Sequence, residues 1–516
     1  MKKGFTLIEL IAVITLLAIL GILVIPSILN LVKNKQQDLS SASNDILYKA
    51  TELYLSNHDG YDLINGNVYC ISLNELALEN LITTPFVDPI TRSEIPLDDK
   101  VEVSVVNKSY TYNFNHSCTE KYVYKDNSGA NTPDLLKNMI PIKYDGTNWI
   151  YADIYTNWYD YANKEWANAV VLNSGVTKSV GDVISETEVS LWYVWIPRYK
   201  YTIFNGNNES VPEQLIDVTF EKNTNTTGTV KCTDNQDGSE ECVDKNFNYI
   251  KNNSSTYTHP AFTFGKRELT GFWVGKFKIS TTDSTCNKTP SSANCNKISI
   301  ATVKPGVSSF RYANVSNLFY SIQNISEDYE IVDGNTHMIK GSEWGAMAYL
   351  KQSKYGLGLT TIAHSSDSNY YTGGGVGNAY KTNVSQSTTG NIYGVYDIND
   401  EGLEYVMSNM HDSNNQFYPS NSGFTTAPDE KYYDSYMYDT VSVSHARGKL
   451  GDATKEILKT FGDSHGVWSG GTSMFLQSRA AWLLHSSTID FPGFGFTATT
   501  GMAAKAMSSR AVITPN

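Results

Sequence analysis

Few residues of this chain have the type and setting to do chemistry. Glu9 is the single ionisable side chain in the apolar run from Phe5 to Val32. A lone charge in a membrane helix costs roughly 2.5–3.5 kcal/mol on insertion scales, so its presence calls for a cationic partner; the alternative is a position near the helix end that reaches the interface. The cysteines fall into sequence-local pairs, Cys70 with Cys118, Cys232 with Cys242 and Cys286 with Cys295, and the last two pairs bracket the short polar loops TDNQDGSEE and NKTPSSAN. Neither loop has the C-x-x-C spacing of a zinc site, which predicts disulfides formed in an oxidising compartment, with free buried thiols as the alternative. Asp234, Asp237 and Glu240 surround Gly238 inside the first of these loops, but Thr233 stands where an EF-hand loop needs its first acid, so a solvated acidic loop is expected there. Asp397, Asn399, Asp400 and Glu401 form a second possible calcium cluster. His445, His465 and His485 have no supporting H-x-x-H or H-E-x-x-H pattern, and Gly373-Gly374-Gly375-Val376-Gly377 follows no predicted strand, so surface histidines and a flexible loop are expected. No catalytic residue, metal ligand or cofactor site is assigned, and calcium is left open.

These groups need elements to hold them. A run of this length and apolarity spans a hydrocarbon core of roughly 30 Å, whereas a secretory signal peptide has a shorter centre of about 7–15 residues. The helix is expected to continue from Phe5 to about Ser56, roughly 78 Å, with residues 5–32 in the membrane. Pro26 removes one of its hydrogen bonds, and Leu39, Ala42, Ile46, Ala50 and Leu53 predict an amphipathic second half. Residues 57–130 read as a small head containing a hairpin, Val101–Val106 and Ser109–Phe114, turned at Asn107-Lys108. The polar stretch KDNSGANTPD at Lys125–Asp134 reads as a boundary, because all nine tryptophans follow it. In the body from 131 to 516, SLWYVWIPRYKYTIF from Ser190 and ELTGFWVGKFKIS from Glu268 read as buried strands, and Gly341–Lys354 as a helix. The fold class expected is α+β, with a large loop-rich second body. A net charge of −13 with no long Lys/Arg run argues against sequence-independent nucleic-acid binding.

Gly4-Phe5-Thr6-Leu7-Ile8-Glu9 ahead of the apolar run resembles the leader of type IV pilins and of type II secretion pseudopilins. The resemblance implies cleavage after Gly4 by a prepilin peptidase, so that residues 1–4 are the leader, N-methylation of Phe5, and neutralisation by Glu9 of a neighbouring subunit's N-terminal ammonium during assembly. A second resemblance lies in the order of FWVGKFKIS at Phe272, KGSEWGAMAYL at Lys340, GNIYGVYDINDEGLEYVMSNM at Gly390 and SSRAVI at Ser508. These blocks are similar to those of the formylglycine-generating-enzyme and sulfatase-modifying family, which implies a C-type-lectin-like fold for the second body. Formylglycine generation in that family uses a cysteine pair near the C-terminus, and this sequence has no cysteine after Cys295. The expectation is therefore not an enzyme but a minor type IV pilin-like subunit presenting an adhesin domain, held in the cytoplasmic membrane and then carried into an extracellular filament or its tip. The alternatives are a pseudopilin and a membrane-tethered enzyme with a divergent site. Partners implied are other pilin subunits, the peptidase, and a host or surface protein or glycan, gripped by outward-facing Tyr- and Trp-rich loops at 355–391 and 411–468.

Overall fold

The computed structural model describes residues 11, 33–37, 39–115, 117–202, 215–228, 256–412, 414, 416–436, 451–453, 482–486 and 495–516. The chain divides into two compact units, Met1–Val123 and Tyr124–Asn516.

In the first unit, helix α1 runs over 39–57, with 33–37 also helical. It is followed by β1 (Val68–Ser72), α2 (Leu73–Leu78), β2 (Lys100–Val106) and β3 (Ser109–Asn115), the strands forming a sheet in the order β1-β2-β3. Asn107 and Lys108 both have positive φ, 50° and 55°, the handedness that a two-residue turn needs to match the twist of the β2–β3 pair. Alternation along β2 sends Val101, Val103 and Val105 into the core, where Tyr69, Ile71, Leu73 and Leu76 meet one face of α1. That face is Leu47, Ala50, Thr51, Tyr54 and Leu55. The expected stripe is displaced: of its members only Ala50 is buried, while Leu39, Ile46 and Leu53 are 49%, 55% and 50% exposed. Thr51 can enter the core because its hydroxyl donates to Leu47 O at 2.8 Å, which extends the buried face across a position that hydropathy marks as polar. Cys70 and Cys118 are bridged, with Cα atoms 5.8 Å apart. Among the described residues no helix is long and apolar enough to cross a membrane; of the run 5–32 only Ile11 is described.

The second unit is organised on an eight-stranded antiparallel sheet. Its strands in chain order are β4 (Met139–Tyr144), β5 (Trp149–Tyr151), β6 (Asn168–Leu172), β7 (Val183–Ile184), β8 (Val189–Pro197), β14 (Gly271–Gly275), β17 (Gly334–Met338) and β23 (Ala511–Pro515), and in space they run β17-β23-β14-β8-β6-β4-β5-β7. Every residue of β8, β14 and β23 is buried, so these strands read as continuous apolar and aromatic runs. Between β8 and β14 lie a small sheet, β9 (Tyr199–Thr202), β10 (Asp217–Phe220) and β11 (Thr256–Thr258), and a hairpin, β12 (Thr263–Phe264) with β13 (Arg267–Glu268). After β14 come β15 (Ser280–Thr281), α3 (Ser284–Lys288), α4 (Ser292–Cys295) and β16 (Ala301–Thr302), then α5 (Val315–Gln323) and α6 (Ile325–Asp328). Helix α7 (Gly341–Lys351) is buried along its whole length. A second sheet centres on β18 (Leu403–Met410), flanked by β19 (Asp434–Tyr436) and β20 (Trp482–Ser486), with β21 (Gly495–Thr499) beyond β20 and β22 (Met507–Ser508) also pairing β18.

The unit boundary falls ahead of the polar stretch 125–134. The Asp126 carboxylate accepts from Tyr161 N at 2.7 Å, and Asn131 Nδ2 donates to the carbonyls of Glu221, Asn223 and Thr270. Polar composition here reflects side chains that tie loops of the second unit together.

Candidate functional site

The four blocks at Phe272, Lys340, Gly390 and Ser508 meet at one buried cluster. Arg510, just ahead of β23, donates from Nε to Glu404 Oε1 at 2.8 Å, from Nη1 to Gly275 O at 2.7 Å and from Nη2 to Tyr396 O at 2.8 Å. Glu404 Oε2 in turn accepts from Trp344 Nε1 of α7 at 2.9 Å. Both charges of this pair are almost fully enclosed, and each remaining polar atom has a partner, the condition under which a buried ion pair is tolerated. Lys276, the residue after β14, is likewise buried; its Nζ donates to Asn168 Oδ1, Ile392 O and Gly394 O at 2.7, 2.6 and 3.1 Å. The ammonium lies 5.2 Å from the Trp149 ring centroid, and burial pushes it well below the usual lysine range.

Two residues on, Lys278 reaches the carboxylates noted in the sequence as a possible calcium cluster. Its Nζ bonds Asp400 Oδ1 and Gly402 O, and its backbone N–H donates to Asp397 Oδ2 at 3.1 Å. Asp397 Oδ1 accepts from Gly373 N at 2.6 Å. Burial, with Asp400 close by, pushes the Asp397 carboxyl up, while Lys278, Arg510 and the Gly373 N–H oppose that shift. Asn399 Nδ2 donates to Ile362 O and its Oδ1 lies 2.9 Å from His364 Nδ1, whose other ring nitrogen is 3.3 Å from Glu401. The acids are thus committed to protein donors, and among the described residues no group of three His, Cys, Asp or Glu is arranged to hold a metal.

What this cluster positions is the segment 371–377. The Gly373 bond to Asp397 anchors Thr372, whose Oγ1 donates to Lys304 O at 2.5 Å and Val307 O at 3.1 Å, while Gly306 N donates back to Thr372 O at 2.8 Å. Gly306, at φ +68°, lies so near Gly377 that a Cβ would sit 2.1 Å from its carbonyl oxygen. The glycine-rich run therefore serves close backbone packing. Between this clipped loop, the β15–β16 hairpin and α3 opens a cleft of about 350 Å³. Ser280, Thr302, Asn287, Lys304, Ser308 and Tyr371 line it. Burial lowers the Lys304 ammonium, and no carboxylate of a described residue offsets the shift. Cys286 and Cys295, bridged with Cα atoms 5.4 Å apart, fasten α3 to α4 beside it.

In the loops where outward-facing aromatic residues are expected, several described ones are turned inward, as are the tryptophans elsewhere in the unit. Trp149, Trp158, Trp166, Trp192, Trp195, Trp273 and Trp344 are all fully buried. In the loop 355–391, Tyr355 and Tyr380 are buried; from 411–436, Phe417, Tyr418, Tyr432 and Tyr433 pack on the core. Some polar tips are satisfied internally, since Trp166 Nε1 donates to Tyr355 O at 2.7 Å and Trp149 Nε1 to Tyr380 Oη at 2.8 Å, whereas Trp158 Nε1 and Trp192 Nε1 are enclosed with no acceptor among the described residues. Sequence reasoning missed the cleft because its walls come from segments far apart in the chain with no motif spacing. Lys278 and Arg510, by contrast, sit in the blocks GKFK and SSRAVI.

Gly4, Phe5, Glu9, Cys232, Cys242, Asp234, Asp237, Glu240, His445, His465 and Trp468 lie outside the described residues; His485 lies on β20. A family model for the prokaryotic N-terminal methylation motif matches residues 1–25, the stretch that contains Gly4, Phe5 and Glu9. A comparison with curated proteins finds no match. The motif supports a type IV prepilin-like N-terminus, and so a pilin- or pseudopilin-like protein. It implies processing by prepilin peptidase, assembly with other pilin subunits, and a chain that is first membrane-anchored and then exposed on the filament.

Proposed function

We propose that this chain is a minor type IV pilin-like subunit whose second unit, Tyr124–Asn516, is an extracellular adhesin module. The observation that carries the proposal is the methylation motif at residues 1–25 on the same chain as a separately cored body far larger than the head it follows. A body of that length has a radius of gyration near 21 Å by the globular scaling rule, whereas a helix is about 10–12 Å across. Such bulk on every subunit would crowd a close-packed filament, which favours a sparse or tip position.

We further propose a C-type-lectin-like architecture for the second unit. The meeting of its four ordered blocks at Arg510, Glu404, Trp344 and Gly275 supports this reading. A binding role is favoured over catalysis because no thiol follows Cys295 and the buried acids are already held by Lys278 and Arg510. The test is deletion of residues 124–516 with filament number and surface attachment measured separately. Normal filaments with lost attachment support the proposal; unchanged attachment, or filaments built mainly of the full-length chain, refute it.

A further inference from the structure

The cleft beside the Cys286–Cys295 bridge combines features that nothing in the pilin-like reading requires. Its volume, about 350 Å³, stands at the lower end of the roughly 300–1,000 Å³ typical of small-ligand sites, too small for an extended peptide of several residues. Its walls carry Ser280 and Thr302 from the β15–β16 pair, whose hydroxyls bond each other at 2.6 Å, and Ser308 from the clipped loop, with Tyr371 opposite. Asn287 also lines it, with an enclosed Oδ1 that has no donor among the described residues. Lys304 brings a half-buried ammonium. The nearest acid along the hairpin wall, Asp283, is engaged by Lys297 at 2.6 Å. A second cation stands behind the wall, since Arg311 donates to Ser308 Oγ at 3.2 Å and stacks on Tyr370 with its guanidinium carbon 4.1 Å from the ring centroid. Two cations thus stand at this wall in a chain of net charge −13, while the Asp367 carboxylate opposite accepts from Tyr371 N at 3.3 Å.

Resting on the adhesin reading, we infer that this cleft binds one carboxylate-bearing sugar unit, with Lys304 meeting the carboxylate and the hydroxyls of Thr282 and Tyr371 meeting those of the ring. A sugar presents donors and acceptors around a ring with apolar C–H faces. The cleft offers the complement: the hydroxyls of Thr282 and Tyr371, which act either way, and the methyl and ring carbons of Thr302, Val307 and Tyr371. The site is held ready by the Asp397–Gly373 and Thr372–Lys304 bonds, so little ordering is lost on binding.

The experiment titrates the full-length protein in detergent with glucuronic acid, N-acetylneuraminic acid, glucose and a short acidic peptide, following heat or ligand-observed NMR. At least one acidic sugar is expected to bind saturably and more tightly than glucose, with affinity falling as salt rises. Lys304→Met, which keeps most of the side-chain stem, is expected to weaken it by about tenfold or more, equivalent to about 1.4 kcal/mol. Thr282→Val, at an exposed position on the rim, is a second variant with little folding risk and a smaller expected loss. Unchanged affinity in both variants overturns the site. Absence of saturable binding by either acidic sugar at 10 mM, or tighter binding of the peptide, overturns the ligand class. Because the deletion test above reads attachment and this one reads sugar binding, loss of either conclusion leaves the other standing or falling on its own data.

Discussion

Replacing Arg510 by Met and Glu404 by Leu, singly and together, measures how far the buried cluster acts as one unit. Arg510→Met strands the Glu404 carboxylate in a site that is 2% exposed, and leaves the carbonyls of Gly275 and Tyr396 without their donor. Breaking a buried pair from one side costs about 3–5 kcal/mol, and Glu404→Leu should cost a similar amount because it strands the guanidinium and Trp344 Nε1. The double variant holds no buried charge. Its penalty is confined to three neutral groups, Gly275 O, Tyr396 O and Trp344 Nε1, at roughly 1 kcal/mol each or somewhat more. The double variant should thus be about as stable as either single one, with a coupling energy near 3–5 kcal/mol. Urea unfolding followed by tryptophan fluorescence is the assay, and it reports the second unit alone because all nine tryptophans, from Trp149 onward, lie within Tyr124–Asn516. Additivity to within about 0.5 kcal/mol would show that the pair is not the cluster's centre and refute the reasoning.

The buried His259 ring is pushed from 6.5 down to about 3 by burial, so the unfolded chain takes up the proton first as pH falls; its contribution to stability is complete above pH 6.5 and is lost toward pH 3. Between pH 6.5 and 5 the loss is about 2 kcal/mol at 1.36 kcal/mol per unit, and His259→Asn should lack it. Comparing wild type with that variant removes the opposite contribution of Asp397 and Asp400, whose carboxyls are pushed up; equal pH slopes in the two proteins would exclude the assignment. Replacing Cys286 and Cys295 by Ser should lower the second unit's unfolding free energy by about 3 kcal/mol, and replacing Cys70 and Cys118 should lower the first unit's by about 4, from the loop each bridge closes. Fluorescence reads the former and circular dichroism the latter. Gly4→Leu should leave residues 1–4 attached in N-terminal mass spectrometry, and Glu9→Ala should insert normally but be depleted from sheared filaments; wild-type recovery there would remove the role given to Glu9.

Much of the local structure was legible. The β2–β3 hairpin follows from alternation and its Asn-Lys turn, and β8, β14 and α7 from runs whose length and spacing have few other readings. What escaped depends on partners distant in sequence. Lys276 and Lys278 look like surface residues until their acceptors, Gly394 and Gly402 among them, are in place. The stripe on α1 was misplaced because Thr51 satisfies its own hydroxyl, and Tyr355 and Tyr380, in a loop expected to face outward, are buried. Helix α5 was not singled out, though Val315, Leu318, Phe319 and Ile322 have the spacing. The cleft had no sequence signal at all, since its geometry exists only once residues 304–308 and 371–377 are clipped together.

Strand β23 lies between β17 and β14 in the large sheet, yet it is the last of the three to be made, after every intervening loop. Until residues 511–515 have emerged, β14 lacks one neighbour, β17 has none in the sheet, and Arg510 is absent from its acceptors. Long-range closure of this kind delays folding to the end of synthesis. In a chain tethered at its N-terminus and threaded outward, the body would stay open throughout passage and become protease-resistant only on completion, so an interrupted transit is marked for removal by its own unpaired edges.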